Sequence, residues 1–354
     1  MPENWPGDAP ERFEPLEPAR PHNLFADTDG IRPVWRLLLY LALLLTPVSL
    51  LTFASHLTNG PGVATRPSSG PLTLWPETAT LAEFAQFGFV CFATWIMSRI
   101  EDRSLASYGF ARPRRYLGLT ATGALWGFLF MCLLIGLLWG THYLVFTGVQ
   151  LSPTAALGYA VAWIVNFVGV ALFEEFLFRG YLQFILTVCL AGLLRWLAPR
   201  NPRADTLGFW LAALLISFGF GFVHGGNTGE SPVGLLCAGL AGLLFAFSLW
   251  RTGVLWWAIG FHAAWDWAQS YLFGVADSGT LVAKHLLGSH PRGPVLLSGG
   301  ATGPEGSLFV LPVMSLMAVV IALTLRRRTE TCAGFALAPA DVCTAPAPVN
   351  LPRA

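Results

Sequence analysis

Charge is what this sequence has least of. Asp, Glu, Lys and Arg make up 12% of its 354 residues, against roughly 25% in a soluble domain. At half the usual density a chain of this length cannot cover a globule with polar surface, so a lipid bilayer must be part of its solvent. The net charge of +1 gives no global attraction to nucleic acid, and no nucleic-acid partner is expected. Paired cysteines are also missing. Cys91, Cys132, Cys189 and Cys237 lie inside apolar runs, Cys332 and Cys343 lie near the end, and no two form a C-x-x-C pair. That argues against a disulfide framework or a thiolate zinc site. The first 30 residues are rich in Pro, Glu and Asp, with no apolar stretch and no small-residue cleavage site. They are no signal peptide and read as a flexible polar tail.

What is abundant is apolar sequence, 54% of the chain. A helical span needs about 20 mostly apolar residues. The candidates are 34–54, 80–98, 117–139, 155–174, 180–197, 208–224, 232–250, 253–274 and 307–325. Between them, 55–79 and 275–306 are Gly/Pro/Ser/Thr-rich loops, and no internal repeat is visible. Nine strict crossings conflict with the basic clusters at Arg20/Arg32, 99–115, 195–203 and Arg326–Arg328, all of which favour the cytoplasm. If one stretch within 155–197 enters and returns or lies in the interface, eight crossings remain and every cluster is cytoplasmic. The fold class expected is therefore an all-α integral membrane bundle of about 8 helices, broken or re-entrant near 174–180.

Ionisable residues inside spans default to functional hypotheses, and three clusters stand out, each with four-residue spacing. Glu175 and Arg179 share one helix face in the order that favours an ion pair, while Glu174 lies about 100° round the helix and escapes it. Phe220 and His224 share a face near Gly219 and Gly221, which permit close backbone approach. His262 and Asp266 share a face in the middle of 253–274. Each cluster has a bland reading: an ordinary ion pair, a hydrogen-bonded helix contact, a fixed tautomer. Together in one bundle they favour a shared polar site. Glu83 reads as interfacial, and Arg36 and Arg251 sit where snorkelling suffices.

Such a set supports hydrolysis. A carboxylate takes a proton from water, imidazoles position the water or a metal, and polar groups stabilise the oxyanion. Two histidines with carboxylates also match hard or borderline metal ligation, zinc included. The sequence has no H-E-x-x-H and no G-x-S-x-G, and its spans hold no paired-aspartate motif. The same groups also suit a proton path in a transporter, although transporters more often show repeated halves. A non-enzymatic scaffold or immunity protein stays open as well.

The order Glu174-Glu175-Phe176-Leu177-Phe178-Arg179, then Phe220-Gly221-Phe222-Val223-His224, then His262-Ala263-Ala264-Trp265-Asp266 resembles the CAAX-protease and bacteriocin-processing (CPBP) family. That is the type II CAAX prenyl endopeptidase superfamily, formerly Abi. The stretch Arg103–Phe110 resembles the family's lead-in, and the likeness covers about residues 100–275. It implies a membrane endopeptidase, with CAAX-type or bacteriocin and peptide processing as its chemistry. Its partners would be a peptide or protein substrate within or beside the membrane, and the bilayer, here a bacterial plasma membrane with both termini cytoplasmic. Carried over, Glu174 activates water with the help of His224, His262 and Asp266 bind the oxyanion or a metal, and Glu175 and Arg179 support them. A metal, zinc or another divalent ion, would take Glu174, His224, His262 and Asp266; a metal-free glutamate mechanism stays open. Asp266 stands where Asn is common in the family, which tilts the reading toward metal. The implied layout is a tail at 1–30, two accessory helices in 31–98, a catalytic core at 99–275, a loop at 276–306, a last helix in 307–328 and a disordered tail at 329–354.

Overall fold

The structure, a computed structural model, describes residues 25–27, 30–59, 72–227 and 229–326. Most of the expected N-terminal tail and all of the expected tail at 329–354 lie outside the described residues. The helices are α1 (Pro33–Asn59), α2 (Pro76–Ile100), α3 (Leu117–Gly140), α4 (Pro153–Glu175), α5 (Gln183–Leu197), α6 (Ala204–Val223), α7 (Pro232–Thr252), α8 (Trp256–Asp266), the single turn α9 (Val295–Ser298) and α10 (Val310–Thr324). Two π-helical segments, Phe176–Leu182 and Trp267–Leu272, follow α4 and α8 directly.

Local sequence sets the helix ends. α2, α4 and α7 each begin with proline, whose missing N–H costs nothing in a first turn. Ser152 and Ser231 cap α4 and α7 by accepting from the N–H groups of Ala155 and Gly234. Gly253 ends α7 with φ of 71°, the left-handed conformation glycine adopts without strain, and turns the chain into α8.

Among the described residues five helices are long and apolar enough to cross a membrane: Pro76–Ile100, Pro113–Gly140, Pro153–Leu197, Ala204–Gly226 and Pro232–Thr252. Two shorter apolar helices, Pro33–Thr46 and Val310–Thr324, accompany them. Their outer faces are apolar, with Leu81, Leu157, Phe222 and Leu323 all exposed, as lipid contact requires. The chain is an integral membrane protein.

The expected break near 174–180 is not a break. α4, the π segment and α5 run on as one helix of 45 residues, about 68 Å at 1.5 Å per residue and over twice what a crossing needs. Two of the nine apolar stretches are therefore one rod, with the expected interruption taken up by π-helical turns. A clamp holds this stretch, where Tyr181 and Tyr108 both donate to the carboxylate of Glu101 at the end of α2.

The fold also departs from all-α in its connections. Short strands β1 (Ala26–Asp27) and β2 (Gly30–Ile31) pair antiparallel, β3 (Thr73–Leu74) and β5 (Leu281–Val282) parallel, and β4 (Leu144–Val149) and β6 (Leu287–Pro291) antiparallel, with Leu144 opposite Pro291 and Val149 opposite Leu287. The 275–306 region is thus built rather than loose, and it folds back onto the bundle.

Small residues place α8. A Cβ at Gly123 would stand 2.2 Å from the carbonyl oxygen of Trp257, one at Gly127 2.2 Å from that of Phe261, and one at Gly260 2.1 Å from that of Thr120. The G-x-x-x-G pair on α3 and Gly260 on α8 thus let two backbones touch, as in small-residue membrane helix contacts. α6 meets α7 similarly at Gly221, where a Cβ would be 2.3 Å from the Leu235 oxygen; Gly219 has nothing within 4 Å. Arg251 does not snorkel but donates to the carbonyls of Leu325 and Ala322, closing the end of α10.

Candidate active site

The six ionisable residues sort into two groups. Glu174 from α4, His224 just beyond α6, and His262 and Asp266 from α8 line one cavity of about 220 Å³. Glu175 and Arg179 do not line it and are fully buried behind it. The two adjacent glutamates face different ways because one residue is about 100° of helix, and they meet the His262 ring at its two nitrogens.

Behind the cavity, Arg179 Nη1 donates to Glu175 Oε1 at 3.0 Å. Its guanidinium lies 4.1 Å from the centre of the Phe220 ring, with Phe245 and Phe178 at 5.6 and 5.9 Å, so aromatic faces supply part of what water would otherwise give the cation. Gly242 leaves the room, since a Cβ there would stand 2.5 Å from Arg179 Nη2 and 3.2 Å from Ser217 Oγ. Among the described residues Arg179 Nε and Nη2, Glu175 Oε2, Ser217 Oγ and both amide atoms of Gln183 have no hydrogen-bond partner.

Glu175 does more than pair with arginine. His262 Nδ1 donates to the same Oε1 at 3.0 Å, which fixes the ring and leaves Nε2 pointing forward. Nε2 lies 3.7 Å from Glu174 Oε2 and 3.4 Å from Asp266 Oδ2. The ring also stacks on Phe245, with centroids 5.4 Å apart. His224 is fixed differently: its Nδ1 donates to the Phe220 carbonyl at 2.7 Å, because a carbonyl can only accept. That tautomer leaves Nε2 with a free lone pair. Phe220 thus serves both sides, covering Arg179 with its ring and orienting His224 with its backbone.

Several cavity residues escaped the sequence reading. Glu83, read as interfacial, lines the cavity with Glu174. Asn166, two turns before Glu174 on α4, lines it too and is 2% exposed. From the 275–306 region come Asp277 and Glu305. Glu305 accepts from Trp265 Nε1 at 3.0 Å and from Ser278 at 3.3 Å, tying this region to the helix of His262 and Asp266. Ser270 donates to Asp277 at 3.2 Å. Burial pushes the Asp277 carboxyl well above the usual carboxylate range, and Asp266 and Glu305 add to the effect. Glu83 and Asn166 carried a signal, as polar residues inside apolar runs; Asp277 and Glu305 carried none, because only the fold of the loop brings them in.

Among the described residues no group of three or more His, Cys, Asp or Glu side chains is arranged to hold a metal ion. The set Glu174, His224, His262 and Asp266 shares the cavity without forming such a group.

Residues 154–268 match the family model described as type II CAAX prenyl endopeptidase Rce1-like. The matched stretch contains all six of these residues and stops short of Asp277 and Glu305. No curated protein and no solved structure matches the chain.

Proposed function

We propose that this chain, whose residues 154–268 match the type II CAAX prenyl endopeptidases, hydrolyses a peptide bond inside the membrane with Glu174 as general base. The resemblance implies a protease and the roles of these residues, and the geometry of the cavity supports them. Water bound between Glu174 and His224 gives one hydrogen to the Glu174 carboxylate and the other to the lone pair of His224 Nε2. As its oxygen attacks the substrate carbonyl, Glu174 takes the proton. Charge then builds on the carbonyl oxygen, and His262 Nε2, when protonated, is the donor that faces it. Glu175 keeps that ring in place through Nδ1 and stabilises its positive form, the part a buried carboxylate plays for a catalytic histidine elsewhere. Asp266 in its protonated form offers a second donor. Glu174 then returns its proton to the leaving amine.

The observation that carries this reading is the division of two neighbouring glutamates. Glu174 is open to the cavity, with an 18% exposed side chain, 3.7 Å from His262, while Glu175 is sealed against Arg179. The substrate class follows the family: a peptide with a prenylated cysteine three residues before its C-terminus. Both ends of the chain are placed on the cytoplasmic side, where the basic clusters belong.

The test is cleavage of an internally quenched farnesylated peptide of that form by the detergent-purified chain. Glu174→Gln keeps the side-chain shape and removes the base, and should lower kcat by about 10²–10⁴-fold with an unchanged thermal midpoint. A Glu174→Gln protein as active as wild type would end this assignment.

A further inference from the structure

We infer that Asn166 is a substrate-binding residue of this cavity, its side-chain amide donating to a main-chain carbonyl of the bound peptide. The inference rests on the peptide-hydrolase function just proposed and adds to it a residue that none of the three motifs contains.

Asn166 is 2% exposed yet lines the cavity. Val170 and Glu174 follow it at four-residue steps on α4 and line the same cavity, so the three share a face. Its one hydrogen bond is weak: Thr80 Oγ1 on α2 donates to Asn166 Oδ1 at 3.5 Å, beyond the usual 2.5–3.0 Å of a hydroxyl donor. Nδ2, with two hydrogens to give, bonds to nothing among the described residues. Nδ2 is not among the fully buried unpaired polar atoms, so it opens onto the cavity, where a ligand carbonyl would take up its donor.

The surroundings fit an extended peptide. One turn earlier on α4, Trp163 Nε1 donates to the Ala283 carbonyl at 3.1 Å, fastening α4 to the end of β5. Leu74 of β3 and Val282 of β5 line the cavity on that side, giving a wall of extended backbone and apolar side chains. Asn166 lies eight residues before Glu174, about 12 Å along the helix, which is three to four residues of extended chain at about 3.3 Å each. It therefore touches the substrate away from the bond that breaks, and its effect belongs in KM rather than kcat.

The competing role is a clamp between α2 and α4 through Thr80, and the two separate by mutation. With the farnesylated quenched peptide and the full chain in detergent, Asn166→Leu should raise KM about tenfold, the size expected for one lost hydrogen bond that leaves a buried carbonyl unpaired. kcat should change by less than about twofold. Thr80→Val removes the clamp and leaves the amide, and should leave KM unchanged. If Asn166→Leu does not fold, Asn166→Ala, which removes the amide without adding bulk, takes its place. Equal effects of the Thr80 and Asn166 variants, or a loss confined to kcat, would overturn the assignment. Affinity for the same peptide, read by fluorescence anisotropy on the Glu174→Gln protein, keeps this result apart from the proposed function. Asn166-dependent binding without cleavage by wild type sinks the protease and keeps Asn166. Cleavage with KM indifferent to Asn166 does the reverse.

Discussion

The front and the back of one helix, a single residue apart, hold the same chemical group in opposite conditions. At the front Glu174 borders an open cavity with an imidazole and further carboxylates around it. At the back Glu175 is buried against Arg179 and His262, with the Phe220 and Phe245 rings and Gly242 around the arginine. The front has room, as a site must. The back has none of that room, and its charges persist only because they meet each other and aromatic faces. On the proposed function, a chain poor in charge uses one carboxylate to react and its neighbour to hold the imidazole that assists.

The largest effect that would break this comparison is at the back. Glu175→Gln leaves the Arg179 cation unpaired in the bundle, and losing one member of a buried pair costs about 3–5 kcal/mol. Its thermal midpoint in detergent should fall far below that of Glu174→Gln, while some cleavage survives because the glutamine oxygen can still accept from His262 Nδ1. Matching midpoints for the two variants would erase the distinction between front and back. Next comes Gly242→Ala, which drives a methyl into Arg179 and should cost about 1–3 kcal/mol by overpacking. Gly219→Ala, with open space around it, should cost far less.

A smaller effect tests the loop that closes the front. The folded protein holds the Asp277 proton to higher pH than the unfolded chain does, so the stability this residue contributes is complete at low pH. It is lost as pH rises from the ordinary carboxylate value of about 4 toward the folded value. Asp277→Asn should therefore flatten the fall of thermal midpoint with rising pH, and an identical slope in both proteins would place Asp277 outside the buried cluster. The smallest expected effect is none: exhaustive chelation should leave cleavage of the farnesylated peptide unchanged, and Asp266→Asn should remain active. Loss of activity on chelation, restored by zinc, would put a metal back at the front.

Much of this site could be read from residue types, since Glu174, Glu175, Arg179, His224, His262 and Asp266 are ionisable groups set in apolar runs. The Glu175–Arg179 pair followed from four-residue spacing alone. The contact of Glu175 with His262 joins residues 87 positions apart, and no local pattern announces it. Asp277 and Glu305 were hidden in a Gly- and Ser-rich stretch whose pairing with β3 and β4 is a long-range event. The G-x-x-x-G at Gly123 and Gly127 was in plain sight and sets how closely α8 approaches α3. The continuity of 155–174 with 180–197 was not legible, because hydropathy registers how apolar a stretch is and says little about whether two neighbouring stretches are one continuous rod.

That rod carries one more consequence. A π-helical segment is a change of phase: the turns beyond Phe176–Leu182 are rotated against those before it, relative to an unbroken α-helix. The face that α4 shows to the cavity and the face that α5 shows to α6 are each correct only with that offset kept. A π turn takes up about one residue more than an α turn, so it is regularising the segment with every residue kept that would swing everything beyond it by about 100°. Glu174 could then keep its outlook or α5 its packing, but not both. Removing one residue would instead let the segment become plain α-helix with that offset nearly kept, so this stretch should tolerate a deletion better than a loss of its π turns.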